Sequence, residues 1–74
     1  MNRIVIDPKI MHGRPVIKGT RVPVDVILGS LVGGMSYEEI EKEYGIAKED
    51  ITASIEHAAK LVMGEEFHPL KMRA

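Results

Sequence analysis

Pro23-Val24-Asp25-Val26-Ile27-Leu28-Gly29-Ser30-Leu31-Val32-Gly33-Gly34-Met35-Ser36-Tyr37-Glu38-Glu39-Ile40 is the stretch that decides the fold. Val24, Ile27, Leu28, Leu31 and Val32 recur at the spacing of one helix face. Pro23 suits the start of that helix, where its missing N–H has no intrahelical partner and its φ is already set. Gly33-Gly34 ends it, because glycine enters the left-handed backbone that closes a helix without steric penalty. Ser36 followed by Glu39 forms a capping box, each side chain accepting from the other residue's backbone N–H. The second helix carries Tyr37, Ile40 and Tyr44 on one face and stops at Gly45. A third opens at Lys48-Glu49-Asp50, whose carboxylates suit the positive end of a helix dipole. It presents Ile51, Ile55, Ala58, Ala59 and Val62 inward and ends at Gly64.

Upstream, the pattern changes from helical spacing to strand and turn. Ile4-Val5-Ile6 is a β-branched run stopped by Asp7-Pro8, since the residue before proline avoids the helical region. Val16-Ile17 and Arg21-Val22 flank Lys18-Gly19-Thr20, and Gly19 supplies the positive φ of a tight turn. Thr20 is placed to bond the local backbone. Strands this short do not stand alone, so they lie on the helices or pair with a second chain. The expected fold is mainly α with a short N-terminal β-hairpin, a helix-turn-helix-like three-helix domain. A single domain over residues 1–74 is expected, with strands and turns in 1–23, the three-helix core in 24–63 and a tail in 64–74.

At 74 residues the chain is long enough for one small core. Such a domain buries only about 60% of its unfolded surface. Cysteine is absent, so neither disulfides nor thiolate zinc sites supplement that core. Self-association is the remaining source of buried surface, and a homodimer is expected. No apolar run approaches a membrane span, and the first seven residues lack the long apolar core of a secretion signal, so a cytoplasmic protein without membrane contact is expected. Three aromatic residues (Tyr37, Tyr44, Phe67) are too few for a base-stacking platform.

The net charge of −1 conceals a strong asymmetry. Residues 1–25 carry five basic groups (Arg3, Lys9, Arg14, Lys18, Arg21) against two acidic ones. Residues 26–66 carry three basic groups against nine acidic ones. The second and third helices have the outline of a helix-turn-helix joined by about four to six residues, an outline shared with any plain helical bundle. On the presumed recognition helix, Glu49, Ala53, Glu56 and Lys60 form the outer face, flanked by Asp50, Thr52, Ser54 and His57. Thr52 and Ser54 are candidate base donors, but no arginine offers bidentate guanine reading and the acidic groups repel phosphate. Arg14, Lys18 and Arg21 are therefore the main DNA-binding candidates.

Other constellations dissolve under inspection. Gly13-Arg14-Pro15-Val16-Ile17-Lys18-Gly19-Thr20 has lysine before glycine, the reverse of a phosphate-binding loop, and Pro15 removes a cradle N–H. His12, His57 and His68 are not at metal-ligand spacing. Ser36 has no nearby His and Asp in sequence. Neither a cofactor nor a metal is expected, and the chain does not read as an enzyme.

Ile6-Asp7-Pro8, the run Gly13–Val24, the helix ending at Gly33-Gly34, then Ser36-Tyr37-Glu38-Glu39-Ile40 and Tyr44 resemble the domain-of-unknown-function family 433, from about Ile4 to Val62. Gly19-Thr20-Arg21-Val22-Pro23-Val24 is the most specific part. Members of that family are similar to prokaryotic antitoxins of the VapB type, commonly encoded beside a PIN-like ribonuclease toxin. The resemblance implies a type II toxin–antitoxin protein that binds and silences such a toxin, with repression of its own operator DNA as a second role. The alternative is a small protein–protein interaction module without DNA binding. Arg21 is not needed for the turn, and either pairs with Asp25 or Asp7 or faces a ligand. In the tail, Phe67, Leu70 and Met72 alternate with His68, Lys71 and Arg73. These apolar groups either cap this chain's own core or dock on the toxin, where Lys71 and Arg73 would suit a carboxylate-lined nuclease site.

Overall fold

Gly19, at φ 81°, is the third residue of a turn in which Thr20 N donates to Ile17 O at 3.0 Å. Positive φ at that position alone is the type II signature, and it is open to glycine at little strain. Thr20 then latches the turn. Its Oγ1 donates to Ile17 O at 2.8 Å and accepts from Val22 N at 3.0 Å. These bonds belong to a computed structural model that describes residues 3–64.

The element order is β1 (Ile4–Val5), a 3-10 turn (Met11–Gly13), β2 (Val16–Ile17), α1 (Val24–Val32), α2 (Tyr37–Tyr44) and α3 (Lys48–Met63). The fold is mainly helical, with three helices and an antiparallel N-terminal hairpin, as the sequence predicts. The strand partner differs from expectation. β2 pairs with β1, Ile4 opposite Ile17 and Val5 opposite Val16, across a ten-residue connection. The stretch after the turn completes only part of a third strand: Ile17 N donates to Val22 O, Val24 N donates to Pro15 O, and Val16 bridges Pro23. Pro15 and Pro23 each lack an N–H, so a full ladder cannot form there. His12 adopts φ 57°, a turn conformation that helps reverse the chain between the strands.

The helix limits follow the caps. Glu39 N donates to Ser36 Oγ at 3.1 Å and Ser36 N donates to the Glu39 carboxylate at 2.8 Å. Gly45, at φ 66°, closes α2. Only Gly45, Ile46 and Ala47 separate α2 from α3, a tighter link than the four to six residues expected. Ile46 is buried, so the link itself adds to the core.

That core is built from β-branched residues of every layer: Val16 and Ile17, Val24 and Ile27, Ile40, Ile46, and Ile51. Tyr37 and Tyr44 pack against it from α2, as do Leu28 and Leu31 from α1. Ser30 Oγ donates to Val26 O at 2.8 Å and lies 3.0 Å from Tyr44 Oη. A hydroxyl has one proton, so Tyr44 is the donor in the second bond, which ties α2 to α1. α3 is the common support, meeting α1, α2 and β1. Its far half departs from expectation. Val62 is 87% and Ile55 39% exposed, because α3 outruns the elements it packs on.

Candidate functional site

Two surfaces flank the core, one basic and one apolar. Lys18, within the latched turn, and Arg21, just after it, stand exposed, and neither is held in an ion pair among the described residues. Arg14, also exposed, pairs with the exposed Asp25 of α1. The arginine that braces Asp25 is thus Arg14 rather than Arg21. Asp7 is likewise not an arginine partner, its carboxylate accepting from Lys9 N at 2.9 Å. A surface pair of this kind is worth about 0–1 kcal/mol and leaves Arg14 able to exchange partners.

The first turn of α3 is less hostile to phosphate than its sequence suggests. Asp50 does not face outward; it is buried to 8% exposure. One carboxylate oxygen accepts from Arg3 Nη1 at 2.9 Å, the other from Ala47 N at 3.0 Å. Its charge is neutralised inside the molecule, leaving Glu49 as the exposed carboxylate of that turn. No local pattern predicts this contact, because Arg3 lies 47 residues away.

The two α3 candidates for base contact separate. Thr52 is exposed, its hydroxyl donating to Lys48 O at a long 3.4 Å, and stays available to another acceptor. Ser54 is wholly buried and donates to Asp50 O at 2.9 Å, so it is a packing residue and leaves the candidate set. Its hydroxyl meets its own bonding needs within the helix, so its polarity conceals its burial from a hydropathy pattern. Phe67, Leu70, Lys71, Met72 and Arg73 lie outside the described residues.

The apolar surface is hidden in the sequence because the helical spacing places Ile55, Ala58, Ala59 and Val62 inward. Ile55, Ala58, Ala59, Val62 and Met63 line a shallow apolar depression on the last two turns of α3, with Leu61, 75% exposed, at its edge. Among the described residues, no group of three or more His, Cys, Asp or Glu is placed to hold a metal ion. No helix there is long and apolar enough to cross a membrane.

Over residues 4–58 the sequence matches the family described as "Protein of unknown function (DUF433)". It is 68% identical over 25 residues to an uncharacterized protein of Archaeoglobus fulgidus, covering 34% of this chain and 69% of that one. A protein of Mycobacterium tuberculosis named "Putative antitoxin VapB45" is 29% identical over 56 residues, 76% of this chain and 23% of that protein. The crystal structure of Rv2018 from the same organism superposes with a TM-score of 0.64 at 29% identity, over 70% of this chain and 24% of that chain. The match therefore spans about a quarter of each mycobacterial protein.

Proposed function

The chain belongs to the DUF433 family, and from that premise we propose that it is an antitoxin that binds a PIN-like ribonuclease toxin and also contacts operator DNA. The observation that carries the reading is the 29% identity, over 76% of this chain, to a relative named as an antitoxin. The structure is compatible with the DNA-binding half. α2 and α3 are joined by three residues with a left-handed glycine at the first, the dimensions of a helix-turn-helix. Thr52 at the start of α3, with Arg14, Lys18 and Arg21 on the N-terminal segment, supplies the contacts to DNA. The protein acts as a homodimer, because a two-fold operator requires two such units.

Toxin binding is assigned to Phe67, Leu70, Lys71, Met72 and Arg73. Co-purification with the product of the neighbouring reading frame tests the antitoxin role, and a truncation after Gly64 tests the tail. The shortened chain is expected to stay folded and lose inhibition of the toxin. A large drop in melting temperature instead would place the tail in the fold and refute its assignment as the inhibitory arm.

A second reading, a protein-binding module without DNA affinity, is favoured by one observation. With Ser54 buried, the base-facing donors of α3 reduce to Thr52, beside the exposed Glu49 and Glu56. A promoter-DNA shift that weakens steeply with salt supports the first reading, since phosphate contacts release counterions. A shift that is absent at low salt supports the second.

A further inference from the structure

α3 has sixteen residues, about 24 Å of helix at 1.5 Å per residue. Its buried residues, Asp50, Ile51 and Ser54, all lie in the first half. Among the described residues, the second half projects past its support and carries an apolar face on which Ala58 and Ala59 are half-buried and Ile55, Val62 and Met63 exposed. At about 100° per residue, Ile55, Ala58, Ala59 and Val62 share a sector of about 100°, with Met63 beside it and Leu61 and Glu56 on its two flanks. His57 and Lys60 fall on the far side.

The order of sizes along this sector is large, small, small, large, at positions 55, 58, 59 and 62. That order reads the same from either end. A helix laid antiparallel across Ala58-Ala59 therefore presents the identical relief, with Ile55 of each copy over Val62 of the other. Two-fold interfaces have this property: residue i meets j while j meets i. The two alanines let the backbones approach, and the bulky residues at each end close over the waist.

We propose that the second half of α3 is the self-association surface of this protein, and that the occupant is a second copy crossing antiparallel at Ala58 and Ala59. The assignment rests on the dimeric reading above and gives it a location. It uses none of Arg14, Lys18, Arg21 or Thr52, so a dimer formed here keeps its candidate DNA contacts. Two helical turns bury less than the roughly 800 Å² per partner of a standard interface, so the dimer is expected to dissociate in the micromolar range.

Sedimentation equilibrium of the full chain tests this, with Val62→Asp as the disrupting variant. Val62 is 87% exposed, so the substitution spares the protein's own core. It is expected to weaken dimerisation at least about tenfold by placing a charge in the contact. Because the chain has no cysteine, single cysteines report the crossing. Ile55 and Val62 are seven residues apart, about 10 Å of helix. Ile55→Cys alone should then stay unlinked under oxidation, while its mixture with Val62→Cys yields a disulfide heterodimer. A dimer unmoved by Val62→Asp overturns the surface and leaves the dimeric reading standing. A monomer at every concentration overturns both. Stronger dimerisation after truncation at Gly64 would show that the chain's own tail covers the face, which also overturns the proposal.

Discussion

Asp50→Ala tests how the N-terminal strand is fastened to the helices. The substitution removes the acceptor for Ala47 N at the start of α3 and the partner of Arg3. Loss of an N-terminal helix bond costs about 1 kcal/mol. The Arg3 bond is charge-assisted, but its side chain is 33% exposed, so solvent screening limits it to about 1 kcal/mol. The expected loss is therefore about 2 kcal/mol, a large part of the stability of a domain this size. In a small domain that lowers Tm by about 8–16 °C. Asp50→Asn keeps one acceptor for Ala47 N and should lose about half as much. Urea unfolding followed by helical circular dichroism measures both. A cycle with Arg3→Ala should return a coupling of about 0.5–1 kcal/mol. If Asp50→Ala costs less than about 0.5 kcal/mol, or if the two substitutions add without coupling, the Arg3–Asp50 pair does not hold the strand to α3.

Ile27→Ala, at a wholly buried position of α1, should cost about 2–5 kcal/mol and lower the urea midpoint sharply. Gly19→Ala forces a side chain onto a φ of 81° and should cost about 1–2 kcal/mol although nothing lies within 4 Å of the new carbon, so an unchanged midpoint would disprove the strain. Thr20→Val keeps the volume and deletes the latch; a loss of about 1–2 kcal/mol in the same assay is expected. Neutralising Lys18 and Arg21 together should reduce the salt slope of any DNA binding by up to about two phosphate contacts. Arg14→Gln alone should reduce it less, because Asp25 already holds that charge.

Features that depend on residues close in sequence were legible in it. The Ser36–Glu39 box, the glycine at the end of each helix and the bonding of Thr20 are all settled within four residues. Features that depend on how far a neighbour extends were not. Periodicity correctly grouped Ile51, Ile55 and Val62 on one face, but among the described residues cover thins along it, from a buried Ile51 through Ile55 at 39% exposure to Val62 at 87%. Burial of Ser54 was hidden by its polarity, and burial of Asp50 by a partner at the other end of the chain. The basic segment was legible as charge. Its internal pairing was not, since Arg14 and Arg21 are equally plausible partners for Asp25 until the turn geometry is known.

The Arg3–Asp50 contact also bears on the order of events during folding. The three helices are consecutive and joined by short links, so their contacts close small loops quickly. β1 differs, because its pairing with β2 is only two residues long and its docking on α3 through Arg3 and Asp50 closes a loop of 47 residues. On a ribosome, β1 emerges first and has no α3 to settle on until residue 50 is made. The strand at the start of the chain is thus expected to be the last piece in place and the first to leave. Amide exchange at Lys18 N, which donates to Arg3 O at 2.8 Å, should then outpace exchange at Ile40 N in α2, and the two rates should converge only under conditions that unfold the whole domain.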